Sequence, residues 1–139
     1  MCFRLQFQPM FTPDTPHIIS RIYDIIASVE SACAGRVPLQ PRQGTGERAL
    51  VFMDAAGQPF LYFGAWYELW SRSGFPLWYG VHEQWDGATV QRFVERHPEA
   101  VIFESFRLCR MDCAAVFEDG PAEPVVECVK QEIACLRRT

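Results

Sequence analysis

Residues 63–81, FGAWYELWSRSGFPLWYGV, hold three of the chain's four tryptophans and two of its four tyrosines. The stretch contains two patterns. Apolar residues at i, i+3 and i+4 predict a short helical turn over 66–73, which Gly74 ends. From residue 77 apolar side chains alternate as in a strand, with Leu77, Tyr79, Val81, Glu83 and Trp85 on one side. Gly80 inside this strand indicates a bulge or a close backbone approach.

Similar patterns on either side complete the predicted fold. Strands are expected at 2–8 and 49–64, the latter as a hairpin turning at 54–57, with one or two more in 100–119. Helices are expected at 16–34, at 87–96 and within 120–139, and a mobile polar loop at 36–48. The sequence therefore predicts an α+β single domain, residues 1–139, with a mixed or mainly antiparallel sheet and about three main helices packed on it.

Composition excludes some partners. The chain has 13 Lys and Arg residues and 17 Asp and Glu residues, which give a net charge of −4. This balance provides no broad basic surface of the kind that binds nucleic acid. No apolar run is long enough to cross a membrane, and the first residues do not resemble a signal peptide. We expect a cytoplasmic protein with reduced thiols. Twelve arginines, a single lysine and no asparagine indicate a bacterial genome rich in G and C.

Catalytic and metal signatures are weak. The six cysteines form no C-x-x-C pair. They are expected to be core residues, although Cys109, Cys113, Cys128 and Cys135 would be able to meet around zinc. Of the three histidines, only His82 lies where a cleft is plausible, while His17 and His97 occupy positions ordinary for a surface. The sequence predicts no catalytic residue, no metal and no cofactor.

The order helix, three strands, helix, strand, with Glu30 on the first helix and Asp54 at a strand end, resembles the layout of PD-(D/E)xK nucleases. That resemblance implies metal-holding carboxylates and a lysine on the strand that follows. The corresponding segment, PLWYGVHEQW, contains no lysine. The alternative function is therefore a small hydrolase or a degenerate relative of these nucleases, with a pocket around Glu68 and His82.

Two acidic residues have two interpretations each. Glu68 lies among aromatic residues, which would strip water from its carboxylate as a general acid requires, or it points to solvent from the outer side of the helix. Glu132 falls inside the apolar arc of the last helix. It either pairs with an arginine beneath that helix or marks an interface.

The preferred function is protein binding. Residues 112–132 contain six acids and one base, a local net charge of −5. Acidic charge beside aromatic anchors suits an inhibitor of the immunity or antitoxin type that holds a basic toxin or enzyme. At least two of the four tryptophans are expected at a partly exposed groove, and a homodimer through the aromatic strand is compatible with either function. The predicted binding residues are Trp66, Glu68, Trp70, Trp78, His82, Trp85, Glu118, Asp119, Glu123 and Glu127.

Overall fold

The computed structural model describes residues 13–33, 39–41, 49–112 and 114–136, with the backbone alone at 39–41. The helices in these ranges are α1 (Thr15–Cys33), α2 (Tyr67–Ser73), α3 (Gly87–Arg96), α4 (Ala114–Phe117) and α5 (Glu123–Leu136). The strands are β1 (Leu39–Pro41), β2 (Ala49–Met53), β3 (Pro59–Ala65), β4 (Leu77–His82), β5 (Val101–Phe103) and β6 (Phe106–Arg110). The predicted α+β class is confirmed. The described helices number five, three of them long, where about three were expected.

The described strands form one antiparallel sheet in the order β1-β2-β3-β4-β6-β5. The predicted hairpin joins β2 to β3 through an Asp54-centred turn. Its carboxylate Oδ1 accepts hydrogen bonds from the amides of Ala56 and Gln58, both at 2.9 Å. Gly57 closes the turn at φ +82°, which glycine adopts without steric cost.

Two predicted boundaries were wrong. The segment 36–48 was expected to be a mobile loop, yet β1 lies within it and pairs with β2. The strand predicted to run to Trp85 ends at His82, and residues 83–85 form a turn. The predicted strand at 2–8 lies outside the described residues.

One face of the sheet packs on helices α1 and α5. Helix α1 buries Ile22, Ile25, Ile26, Val29 and Cys33, and α5 buries Val125, Val129, Ile133 and Leu136. Strand residues of alternating position, including Leu61, Phe63, Leu77, Tyr79 and Val81, complete this core. The two helices lie against it because each carries an apolar stripe at helical spacing.

The opposite face of the sheet is also apolar. A second buried cluster lies there, made of Ala49, Tyr62, Trp66, Leu69, Trp78, Phe106 and Leu108. Helix α2 contributes Leu69 to it, and the residue before the helix contributes Trp66. The sheet is therefore buried on both sides around β4, and its aromatic residues are shared between two cores.

Gly80 lies in β4 opposite Leu108 of β6. A Cβ atom at this position would lie 1.8 Å from the carbonyl oxygen of Arg107. The predicted close backbone approach is confirmed, and only a residue without a side chain fits there.

No helix in the described ranges combines the length and the apolarity that a membrane crossing demands.

Candidate functional site

The tryptophans are more deeply buried than the sequence suggested. Trp66, Trp70 and Trp78 are 7%, 8% and 4% exposed, and Trp85 is partly buried. The expectation that at least two would line an exposed groove was wrong. The physical reason is the second apolar face of the sheet, which takes Trp66 and Trp78 while Trp70 enters the helix-covered core.

Glu68 and His82, the centre of the alternative hydrolase site, contact different partners. Glu68 is exposed and pairs with Arg72 one turn later on α2, at 2.6 Å. His82 accepts a hydrogen bond from the Gln84 amide at 3.0 Å and packs edge-on against Phe106. Glu68 therefore has the solvent-facing position that was one of its two interpretations.

The acids predicted near the C-terminal end of the chain are exposed, as a charged face requires. They are Glu118, Asp119, Glu123 and Glu127. Two of them have basic neighbours: Asp119 lies 3.6 Å from Arg21 Nε and 2.8 Å from His17 Nε2, and Glu127 lies 3.6 Å from Lys130. Part of the local negative charge is therefore compensated by α1 and within α5.

Four aromatic residues form a row across three helices, and we call them the aromatic row. Tyr67 donates a hydrogen bond to the Tyr23 hydroxyl at 3.5 Å. The ring of Trp70 lies 6.2 Å from Tyr67 and 6.3 Å from Phe117. Tyr23 and Phe117, at the two ends, are 41% and 42% exposed. The exposed aromatic residues of this surface are Tyr23 and Phe117, and neither is a tryptophan of the predicted groove.

Only Trp70 of the aromatic row was among the predicted binding residues. The sequence held a signal for Tyr23, which lies outside the apolar stripe of α1 and so has no place in the core beneath that helix. Phe117 had no comparable signal, because its exposure depends on how the short helix α4 sits against α1 and α2.

Arg21 of α1 fixes the backbone segment that carries Phe117 of the aromatic row. Its guanidinium donates hydrogen bonds to the backbone carbonyls of Ala115, at 3.0 and 3.2 Å, and of Gly120, at 2.9 Å. These bonds join α1 to both ends of the segment that carries Phe117. The exposed ring therefore stands on a fixed backbone.

A polar cluster is buried on the other side of the helix layer, between α3 and α5. Glu132 accepts a hydrogen bond from Arg96 Nη2 at 2.8 Å and lies 3.1 Å from His97 Nε2. The side chains of Glu132 and His97 are only 7% and 12% exposed. The predicted arginine partner of Glu132 is confirmed. The placement of His97 at an ordinary surface position was wrong.

The cluster continues from His97 towards the sheet. His97 Nδ1 lies 3.4 Å from Glu99 Oε2, and the Cys109 thiol donates to the same oxygen at 3.6 Å. Tyr79 stands beside Cys109 on the neighbouring strand, with its ring centroid 5.5 Å from that of His97. An imidazole, a carboxylate and a thiol therefore converge here.

Electrostatics keep the thiols of this region protonated. Burial, with the negative charge of Glu99 nearby, raises the pKa of Cys109 to about 12. Burial likewise raises the pKa of Cys128 and that of Tyr79. A nucleophilic cysteine needs the opposite shift, so Cys109 is not activated for attack in the metal-free protein.

The pKa values of the Glu99 carboxylate and the Arg96 guanidinium move in the directions that favour the charged forms. The hydrogen bond that Arg96 donates to Glu132 raises the pKa of Arg96. A backbone hydrogen bond, reinforced by His97, lowers the pKa of Glu99. The cluster therefore combines fixed charges with neutral thiols.

The residues that the sequence suggested for metal binding have other roles or positions in the structure. Asp54, one carboxylate of the nuclease-like layout, binds turn amides. In the described part of the chain, Cys109, Cys128 and Cys135 are free thiols, and Cys113 lies outside it. The group of potential ligands found there is His97, Glu99 and Cys109.

Comparison with protein-family models, with curated proteins and with solved structures found no match for this chain.

Proposed function

We propose that this protein is a binding module of the immunity or antitoxin type, which holds a basic protein partner in the bacterial cytoplasm through the aromatic row and the acids beside it. The observation that carries the proposal is the aromatic row itself. Tyr23 and Phe117 expose about two-fifths of their surfaces while their inner neighbours, Tyr67 and Trp70, anchor them to the core.

Aromatic residues of this kind are effective binding anchors. They supply large contact areas at a low cost in side-chain entropy, and they dominate the energetic hot spots of protein interfaces. Arg21 fixes the backbone of α4 through hydrogen bonds at both ends of its segment. A partner therefore meets a surface that is already ordered, which reduces the entropy lost on association.

The charge around the aromatic row specifies the partner's chemistry. Glu118 and Asp119 follow Phe117 directly and are exposed, and Glu123 begins the next helix. With a net charge of −4 on the whole chain, this surface favours a basic partner and speeds its association. It opposes the approach of a second acidic copy of the chain, so a heterologous partner is the better fit.

The experiment uses the tagged protein as bait in lysate from the organism that encodes it. Three baits are compared: the wild type, the double variant Tyr23→Ala/Phe117→Glu, and the control Ile102→Ser, which alters a more exposed apolar residue on β5. We expect a basic protein to be retained by the wild type and the control, to be lost from the double variant, and to be released as salt rises.

The affinity of the purified partner then gives the sharper measurement. Phe117→Ala alone is expected to weaken binding about 10- to 30-fold, the loss typical of one hot-spot ring. Equal retention by all three baits, or a partner whose binding ignores salt, contradicts the proposal. Light scattering on the protein alone gives its mass in solution, which distinguishes binding to a heterologous partner from formation of a homodimer.

A further inference from the structure

The cluster of His97, Glu99 and Cys109 results from the path of the chain around one hairpin. His97 follows the last residue of α3, and Glu99 lies two residues later, just before β5. Strand β6 returns antiparallel to β5, with Leu108 opposite Val101. Cys109 is consequently brought back beside the turn that carries the other two residues.

Two of the three separations between the ligand atoms have the size that a tetrahedral zinc ion imposes. Bonds of about 2.0–2.1 Å to nitrogen, 2.0–2.2 Å to oxygen and 2.3 Å to sulfur, at tetrahedral angles, give about 3.4 Å for nitrogen to oxygen and about 3.6 Å for sulfur to oxygen. The structure has His97 Nδ1 3.4 Å and Cys109 Sγ 3.6 Å from Glu99 Oε2. All three atoms lie within 4.8 Å of one another.

A second observation concerns the far side of the imidazole. His97 Nε2 lies 3.1 Å from the buried carboxylate of Glu132, which Arg96 holds at 2.8 Å. A proton on Nε2 donated to Glu132 leaves the lone pair of Nδ1 facing Glu99 and Cys109. Metal-binding histidines are usually oriented in this way by an outer carboxylate.

We propose that His97 Nδ1, Glu99 and Cys109 bind a divalent transition metal, Zn²⁺ in the first place, with the fourth coordination position open to water. The mixed nitrogen, oxygen and sulfur set suits zinc and excludes the oxygen-seeking ions Ca²⁺ and Mg²⁺. Three protein ligands and one open position are also the pattern of reactive zinc sites rather than structural ones.

Binding is an exchange of a proton for a metal ion. The Cys109 thiol releases its proton to solvent as the sulfur–metal bond forms, any proton on His97 Nδ1 is displaced to solvent in the same way, and Glu99 coordinates as the carboxylate. The Glu99 side chain is 68% exposed, so it provides the path by which the ion enters. This site differs from the four-cysteine arrangement considered from the sequence, with which it shares only Cys109.

The test begins with protein stripped by a chelator and titrated with Co²⁺, whose thiolate charge-transfer band reports a sulfur–metal bond. Zn²⁺ affinity is then measured by competition with Co²⁺. We expect one ion per chain, with the charge-transfer band present in the wild type and absent from Cys109→Ser. The matched control is Cys128→Ser, which removes a nearby thiol outside the ligand set and is expected to keep both the band and the affinity.

Two further variants separate ligand loss from unfolding. Glu99→Gln alters an exposed residue and is expected to fold normally, as shown by circular dichroism, while losing more than the roughly 10- to 100-fold in Zn²⁺ affinity that an outer hydrogen bond contributes. Glu132→Gln is expected to keep the charge-transfer band and to lose about 10- to 100-fold. Unchanged affinity in Glu99→Gln, or a charge-transfer band that persists in Cys109→Ser, overturns the proposal.

Discussion

Glu132 is a carboxylate placed among apolar residues of α5, where charge is costly unless it is compensated. Its two oxygens are divided between Arg96 and His97 at the end of α3. The arrangement satisfies the carboxylate without water and fixes the two helices relative to each other. Removing one member leaves the others buried without a partner, which usually costs more than the intact group contributes.

The variant Glu132→Ala, measured in metal-free protein, tests the contribution of Glu132 to stability. The free energy of unfolding is expected to fall by roughly 2–3 kcal/mol, below the 3–5 kcal/mol of a fully buried pair, because Arg96 is 36% exposed and partly solvated by water once released. Urea denaturation measures it. Glu127→Ala, which removes an exposed acid from the same helix, is the control and is expected to change stability by less than about 0.5 kcal/mol. Equal losses in the two variants would contradict the structural role of Glu132.

The helical wheel placed Glu132 correctly and indicated an arginine partner, because burial of a lone carboxylate has few physical solutions. It gave no means of choosing Arg96, which lies 36 residues away. His97 was missed for a related reason. A histidine between a helix end and Pro98 has the local pattern of a surface residue, and it is covered by Tyr79 of β4 and Glu132 of α5, which are distant in sequence.

At the scale of elements, β4 and β6 approach more closely at Gly80 than any side chain allows. The consequence is that one residue decides whether the two strands pair. Since β4 is a central strand and β6 connects it to β5, the edge of the sheet depends on this contact.

Gly80→Ala is therefore expected to destabilise the protein by at least about 2–3 kcal/mol, because the added Cβ meets a backbone carbonyl that no side-chain rotation can relieve. Gly87→Ala is the matched control. A Cβ at Gly87 meets nothing within 4 Å, and the residue starts α3, so this variant is expected to be neutral or up to about 1 kcal/mol more stable. Thermal and urea unfolding of both variants measure the difference, and similar stabilities would show that the strands separate readily.

Elements with local signals were predicted from the sequence: helix α1, the hairpin that turns at 54–57 and the Gly74 end of α2. Strand β1 was missed because its pairing with β2 outweighs a local composition rich in proline and glycine. The end of β4 was placed too late because an alternating pattern continues into a turn. Both errors arise where contacts between distant segments override local propensity.

At the scale of the whole molecule, the sheet is covered on both faces around β4. This feature explains why the number of tryptophans led to a wrong prediction of their exposure. A single apolar face would have left some indoles exposed, but the second cluster buries Trp66 and Trp78. Composition gives the number of large rings, whereas the number of layers that receive them is a property of the assembled fold.

Native fluorescence tests this distribution. Emission from the three buried indoles is expected to be blue-shifted and poorly quenched by acrylamide, because the quencher cannot reach them. The partly buried Trp85 accounts for most of the quenching that remains, so Trp85→Phe is expected to reduce it, whereas Trp78→Phe is not. Strong quenching that survives Trp85→Phe would contradict the burial of the other three.

The hydrogen bond between Arg96 and Glu132 also has a consequence for the nascent chain during translation. At about 5–20 residues per second, a ribosome needs roughly 2–7 seconds to add the 36 residues that separate them. During that interval the guanidinium of Arg96 lacks the carboxylate of Glu132, and the surface that α5 will cover is open to chaperones. Translation speed across this stretch is thus a variable on which the yield of correctly folded molecules depends.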